Sequence, residues 1–272
     1  MNIYTLNVGQ GQFVVVTGQK EAFIVDSYVP ISPKSPIINV KGALANILAS
    51  KELIGLIITG FDADHFNEVG MKIILNKYRP NWIMYPKYFK KTSVADNCFN
   101  VINSFESSKQ IKRYSVMLSE NSKRFYTDLS NEFYYEVFSP HSADMNSSNN
   151  CSLVCRVVEK TSKKSYLITG DTEYDRWSSI LKYFSSNLKS DVLAAPHHGS
   201  KNGITEDLMS KIHPYSVLIS AGIENQYGHP DKEALTIYQN TATEVYRTNQ
   251  NKGISLVTYL NLTGIKSYLF EV

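Results

Sequence analysis

Asp62, Asp64 and His65 fall within four residues, directly after the apolar run from Leu53 to Thr59. Three such groups on one tight turn are costly to hold together unless something cationic sits among them. A plainer role is open to Asp64, as the cap of a helix that follows. The same arrangement recurs downstream. Asp171 ends the apolar run Leu167-Ile168-Thr169-Gly170, and His197 and His198, in Pro196-His197-His198-Gly199-Ser200, follow a third. Carboxylate and imidazole donors without a thiolate suit zinc or manganese. The runs Ile57-Ile58-Thr59-Gly60-Phe61-Asp62 and Leu167 to Asp171 echo each other, each delivering an acid just past a Thr-Gly strand tip. Strand tips are where α/β folds carry their chemistry.

The elements that must position these groups alternate along the chain. Strands are expected at Ile3 to Asn7, Phe13 to Thr17 and Ala22 to Asp26, followed by a proline-rich loop from Pro30 to Pro36. A helix over Lys41 to Ser50, a buried strand over Leu53 to Thr59 and a helix over Asn67 to Tyr78 come next. Strands at Glu132 to Phe138, Ser152 to Glu159 and Ser165 to Thr169 precede a helix from Glu173 to Phe184. Strands at Asp191 to Ala195 and Ser216 to Ser220 then alternate with helices at Gly203 to Ile212 and Asp231 to Asn240. The chain closes with strands near Val245, Ile254 to Leu260 and Lys266 to Phe270. No linker-like stretch divides residues 1–272, so a single domain is expected.

Composition sets bounds. A chain of 272 residues that is 43% hydrophobic and 19% charged can bury a core and is not disordered. Its longest apolar stretches fall short of a bilayer span, and no secretory signal opens it, so a cytoplasmic location without a membrane partner is expected. A net charge of +3 is too small to argue for nucleic acid alone. Lys87, Lys90 and Lys91 among Tyr85, Tyr88 and Phe89, with Lys109, Lys112 and Arg113, read as a solvated helix face or a basic wall beside a site. Cys98, Cys151 and Cys155 form no metal-type pair; Cys151 and Cys155 are expected on one strand face, buried and reduced.

Taken together, Asp62-Ala63-Asp64-His65, Thr169-Gly170-Asp171, Pro196-His197-His198-Gly199-Ser200 and Tyr227-Gly228-His229-Pro230 resemble the metallo-β-lactamase superfamily. Within it the sequence is similar to the ComEC-type hydrolase domain of bacterial DNA-uptake channels, which also occurs as a standalone protein. Asn7-Val8-Gly9-Gln10-Gly11 and Asn149-Asn150-Cys151-Ser152-Leu153-Val154 resemble that branch too, and the motifs run in family order over nearly the whole chain.

The resemblance implies an α/β fold, the four-layer αββα metallo-β-lactamase sandwich, with metal at the edge where strand tips meet. It implies that Asp64, His65 and His197 bind one ion, that Asp171 bridges two, and that Asp62 serves the other. His141 stands where other superfamily members place a third histidine, or is a plain loop residue. His198 would lie behind the ligands or face substrate, and His229 would meet a substrate phosphate or bind metal. Asp64 would also orient the nucleophile.

Gly60 occupies the first position of the family's HxDxDH pattern, and Asn7 and Gln12 stand where the family prefers aspartate. Loss of the Gly60 ligand leaves two divalent ions, zinc or manganese, or one alone. The activity implied is that of a metal-dependent hydrolase, a phosphodiesterase or nuclease acting on DNA. Hydrolysis of a small nucleotide phosphodiester is one alternative. The other is a catalytically weakened binding or regulatory subunit of a larger complex, such as a defence complex, with a protein partner such as an ATPase.

Overall fold

The computed structural model of the chain describes residues 1–33, 35–87, 92–105, 111–144, 147–251 and 253–271. Short runs of β-branched residues form β1 (Asn2–Thr5), β2 (Val14–Thr17) and β3 (Glu21–Val25). α1 (Val40–Ile47) starts at Asn39, whose side chain accepts the Gly42 amide, and β4 (Glu52–Ile57) is buried from Leu53 onward. α2 (Glu68–Lys77) is capped by Asn67, which accepts the Gly70 amide at 3.0 Å. Asp64 is therefore not the cap of that helix.

The stretch that carried no sequence expectation holds β5 (Trp82–Pro86), α3 (Ser93–Phe105), β6 (Lys112–Val116) and β7 (Arg124–Tyr126). The buried positions of α3, Ala95, Cys98, Val101 and Ile102, do recur at helical spacing. They are interleaved with Ser and Asn, which favour turns over helix interiors and mask the period. Tyr85 belongs to β5, Lys87 follows it, and Lys112 and Arg113 belong to β6, so these residues form no helix face. Tyr88, Phe89, Lys90, Lys91 and Lys109 lie outside the described residues.

β8 (Phe133–Ser139), β9 (Val154–Glu159), β10 (Ser165–Ile168), α4 (Tyr174–Phe184) and β11 (Val192–Ala194) follow. α5 (Glu206–Ile212) begins later than Gly203 because Thr205 caps it, accepting the Leu208 amide at 3.1 Å. β12 (Ser216–Ile219), α6 (Lys232–Thr241), β13 (Glu244–Arg247), β14 (Ser255–Asn261) and β15 (Gly264–Phe270) complete the chain. Cys151 sits in the turn before β9, not on the strand with Cys155. All three cysteines are buried and unpaired, and burial pushes the Cys98 and Cys151 thiols up to about 12.

One sheet runs β15-β14-β1-β2-β3-β4-β5-β6 and the other β13-β12-β11-β10-β9-β8-β7. Their facing sides share one apolar core, in which Val16, Phe23 and Ile57 of the first meet Tyr135, Val157 and Tyr166 of the second. α1, α2 and α3 cover the outer face of the first sheet, and α4, α5 and α6 that of the second. The result is the four-layer αββα arrangement. Among the described residues no helix is long and apolar enough to cross a membrane.

Two parallel stretches set up the chemistry. β3, β4, β5 and β6 run parallel in one sheet, and β10, β11, β12 and β13 in the other. Parallel strands bring their C-terminal ends to one edge. Asp26 follows β3, Asp62 to His65 follow β4, Asp171 follows β10, and His197 and His198 follow β11.

Candidate metal centre

His65 is fixed from behind. Its Nδ1–H donates to Asp26 Oδ2 at 2.9 Å, and Asp26 also accepts the Thr59 amide and hydroxyl, both at 2.7 Å. Asp26 is fully buried and takes a left-handed backbone conformation, φ 58°, one that aspartate tolerates better than most residues. α2 is drawn against this corner: a Cβ on Gly70 would fall 1.5 Å from the Ser27 carbonyl oxygen, so no other residue fits there. With Nδ1 engaged, His65 Nε2 faces Asp171 Oδ1 at 3.0 Å, and neither of those atoms has a hydrogen-bond partner.

His198 repeats the device from the opposite sheet. Its Nδ1–H donates to the Ser220 carbonyl at 2.8 Å, while Nε2 stands 3.5 Å from Asp64 Oδ2 and 3.8 Å from Asp171 Oδ1, again unpartnered. Each imidazole is thus tied through one nitrogen and presents the other to the same acids, the arrangement of a histidine that ligates metal. Donor atoms of Asp64, His65 and His198 all lie within 4.8 Å of one another. Asp171 reaches the group from the tip of β10, its amide held by Ser152 Oγ at 3.0 Å. These buried carboxylate and imidazole atoms without partners fit a divalent ion of the zinc or manganese kind.

The charges lean on one another. Burial alone would push the His65 imidazolium down, but Asp171 and Asp26 outweigh it and raise its pKa well above the ordinary value. Burial opposes His198 in the same way, and Asp171 with Asp64 raises it. The two acids move oppositely: burial would raise both, yet His198 and His65 hold Asp64 below the usual carboxylate range and hold Asp171 far below it. A metal ion must therefore displace protons from His65 and His198. Binding is expected to release protons and to tighten as pH rises. Calorimetry in buffers of different ionisation enthalpy measures this directly.

His197 and His198 do not take the parts expected of them. Both adopt left-handed backbone geometry, φ 49° and 54°, in the turn after β11, and His198 rather than His197 closes the group around Asp64 and His65. His197 turns aside: its Nδ1 lies 3.2 Å from Glu173 Oε1 and its Nε2 3.9 Å from Asp171 Oδ2. Its ring meets that of His229 edge-on at 5.5 Å. Asp62, Asp64, Asp171, His197, His198 and His229 line one cleft of about 680 Å³. Lys201 is exposed and does not line it; its amide donates to Asp231.

No protein-family model matches the chain. The chain is 31% identical over 214 residues to ComE operon protein 3 of Bacillus subtilis, covering 79% of this chain and 26% of that protein. It therefore spans about a quarter of the length of that relative. Among solved structures, Igni18, a metallo hydrolase of Ignicoccus hospitalis, superposes with a TM-score of 0.54 at 12% identity, over 95% of this chain and 100% of its own. The short form of human tRNase Z gives 0.53 at 13% identity, over 91% of this chain and 96% of its own. The chain is a ComEC-type member of the metallo-β-lactamase fold.

On this metallo-β-lactamase scaffold His141 stands apart from the clustered donors. It is not among the donors that gather with Asp64, His65 and His198, and its amide donates to Asp144 Oδ2 at 2.8 Å, an acid already paired with Arg176 at 2.8 Å. Burial and the Arg176 charge push its pKa down, so it is a neutral interior imidazole. The second ion expected on this fold thus lacks both His141 and the histidine that Gly60 replaces. A Cβ at Gly60 meets nothing closer than Ser152 Oγ at 3.9 Å, so a side chain has room there. Gly60→His is expected to raise bound metal from about one to about two ions per chain by elemental mass spectrometry.

Asp26, the acid that orients His65, went unread in the sequence. Its one signal is a carboxylate placed directly after the apolar strand Ala22 to Val25, the same pattern that flagged Asp62 and Asp171.

Proposed function

We propose that this protein is a metal-dependent hydrolase, a phosphodiesterase that acts on nucleic-acid phosphodiesters, DNA foremost. The observation that carries the reading is the pair His65 and His198, each tied at Nδ1 and each aiming an unpartnered Nε2 at Asp171. Recombination protein 2 of Haemophilus influenzae, 34% identical over 98 residues and 36% of this chain, supports a nucleic-acid substrate by its name, and tRNase Z is a nuclease by name on the same fold.

Asp64, His65, Asp171 and His198 would hold the ion. When bound, the ion supplies Lewis acidity toward a phosphoryl oxygen and toward a water nucleophile. The chain's own groups do the rest. Asp64 lines the cleft, where its carboxylate would orient that water. His197 and His229 place two imidazoles beside Asp171, in reach of the non-bridging oxygens whose charge grows as phosphorus is attacked. Burial and the neighbouring His197 lower the His229 pKa, so it stays neutral near neutral pH and can accept a proton from the attacking water or donate a hydrogen bond, but not a proton, to the departing oxygen.

A cleft of about 680 Å³ also lies in the size range of small-molecule sites, which favours a small nucleotide phosphodiester as the second reading. Protein loaded with manganese or zinc is expected to cleave single-stranded DNA, with activity removed by chelation and falling steeply with salt. Cleavage of dinucleotides with little salt dependence would favour the second reading. A metal-loaded protein inert on both would overturn the hydrolase reading and favour a binding or regulatory subunit.

A further inference from the structure

Tyr227 is 56% exposed, yet it is not a loose surface residue. The loop that carries it is braced by one side chain. Asn225 Oδ1 accepts the amides of Tyr227 and His229 at 3.2 and 3.0 Å, and Asn225 Nδ2 donates to the carbonyls of Gly222 and His229 at 2.9 and 2.6 Å. The Gly228 amide closes the turn on the Asn225 carbonyl at 3.1 Å. The Tyr227 ring lies nearly parallel to the His229 imidazole, 19° apart at 5.9 Å between centroids.

Single exposed aromatics are common and need no explanation. What sets Tyr227 apart is that its backbone is braced, its ring stacks on His229, and it lines the metal cleft while more than half exposed. Across the cleft stands Tyr28, its ring seated over Gly11, where a Cβ would come within 2.1 Å of it. Tyr28 thus lines the same cleft as Tyr227 and Asp64.

We infer that Tyr227, stacked on His229, is the platform on which a nucleobase of the substrate lies while its phosphate meets the Asp64, His65, Asp171 and His198 group. Two ring-to-ring steps, 5.5 Å from His197 to His229 and 5.9 Å from His229 to Tyr227, lead outward from Asp171. A stacking face accepts any base, because every base offers a π surface, so the platform selects nucleotides over plain phosphodiesters without reading sequence. The inference rests on the phosphodiesterase reading for its chemistry, and adds to it the moiety that is recognised.

The test compares two esters with the same leaving group, thymidine 5′-(p-nitrophenyl phosphate) and methyl p-nitrophenyl phosphate, on metal-loaded protein. Wild type should prefer the nucleoside ester. In Tyr227→Ala the ratio of the two kcat/KM values should fall about tenfold, through KM, while Tyr227→Phe keeps it, since stacking needs the ring and not the hydroxyl. An unchanged ratio in Tyr227→Ala, or an equal fall in Tyr227→Phe, overturns the assignment. If wild type cleaves neither ester the phosphodiesterase reading fails by itself. The fluorescence of 2-aminopurine nucleoside 5′-monophosphate then decides the platform: quenching by wild type and Tyr227→Phe but not Tyr227→Ala supports it, and equal behaviour of all three overturns it.

Discussion

Asp171→Asn is expected to abolish metal binding and to lower hydrolysis by about a thousandfold or more, while leaving the metal-free fold intact. Asp171 is the acid on which the cluster converges. Its Oδ1 faces His65 Nε2 at 3.0 Å and His198 Nε2 at 3.8 Å, and its Oδ2 faces His197 Nε2 at 3.9 Å. The amide substitution keeps shape and removes the charge, so no cavity opens and the Ser152 contact to the backbone amide survives. Lewis-acid stabilisation of a transition state is worth several kcal/mol, and each 1.36 kcal/mol is tenfold in rate, which gives the size of the loss. The same change removes the largest influence holding the His65 and His198 protons in place. The variant should therefore also release fewer protons when challenged with metal. Elemental analysis, a thermal melt and a turnover assay on one preparation separate the outcomes. Retained metal and retained turnover would remove Asp171 from the site, whereas a variant that fails to fold would move the comparison to Asp64→Asn.

Much of this arrangement was readable because apolar strands are conspicuous and their tips are not. β4, β10 and β11 stand out as short continuous hydrophobic runs, and each ends in residues with no reason to be there except to form a turn or to act. Asp62, Asp64, Asp171 and the paired histidines were legible for that reason, and the parallel strand order explains how residues more than a hundred positions apart share one cleft. The rest depended on directions that a sequence does not encode. His141 follows a strand tip just as Asp171 does, but Asp144 and Arg176 claim the turn behind it. Asp26 looks like any residue closing a strand until the Thr59 and His65 hydrogen bonds show its role. α3 was hidden by its Ser and Asn content, although its buried positions keep a helical period.

The sharpest case is the His197-His198 pair, and it supplies the second large effect. Adjacent residues in an ordinary strand point to opposite faces, but two successive left-handed residues follow no such alternation, so nothing in Pro196-His197-His198-Gly199 says which ring turns inward. The structure places His198 at 3% exposure, tied to Ser220, with Nε2 toward Asp64, and His197 half-buried beside Glu173 and His229. His198→Ala should therefore weaken metal binding by about a hundredfold or more, because it deletes one of three clustered donors and leaves Asp64 and Asp171 facing each other without a cation between them. His197→Ala should leave metal affinity within about tenfold and lower turnover instead, since its Nε2 approaches only Asp171 Oδ2, at 3.9 Å, outside the Asp64, His65 and His198 group, and its ring packs on His229. Metal titration followed by assays at saturating metal distinguishes the two. The reverse pattern, with metal lost in His197→Ala and kept in His198→Ala, would mean that the turn rearranges when an ion binds and that the expectation drawn from the motif was the correct one.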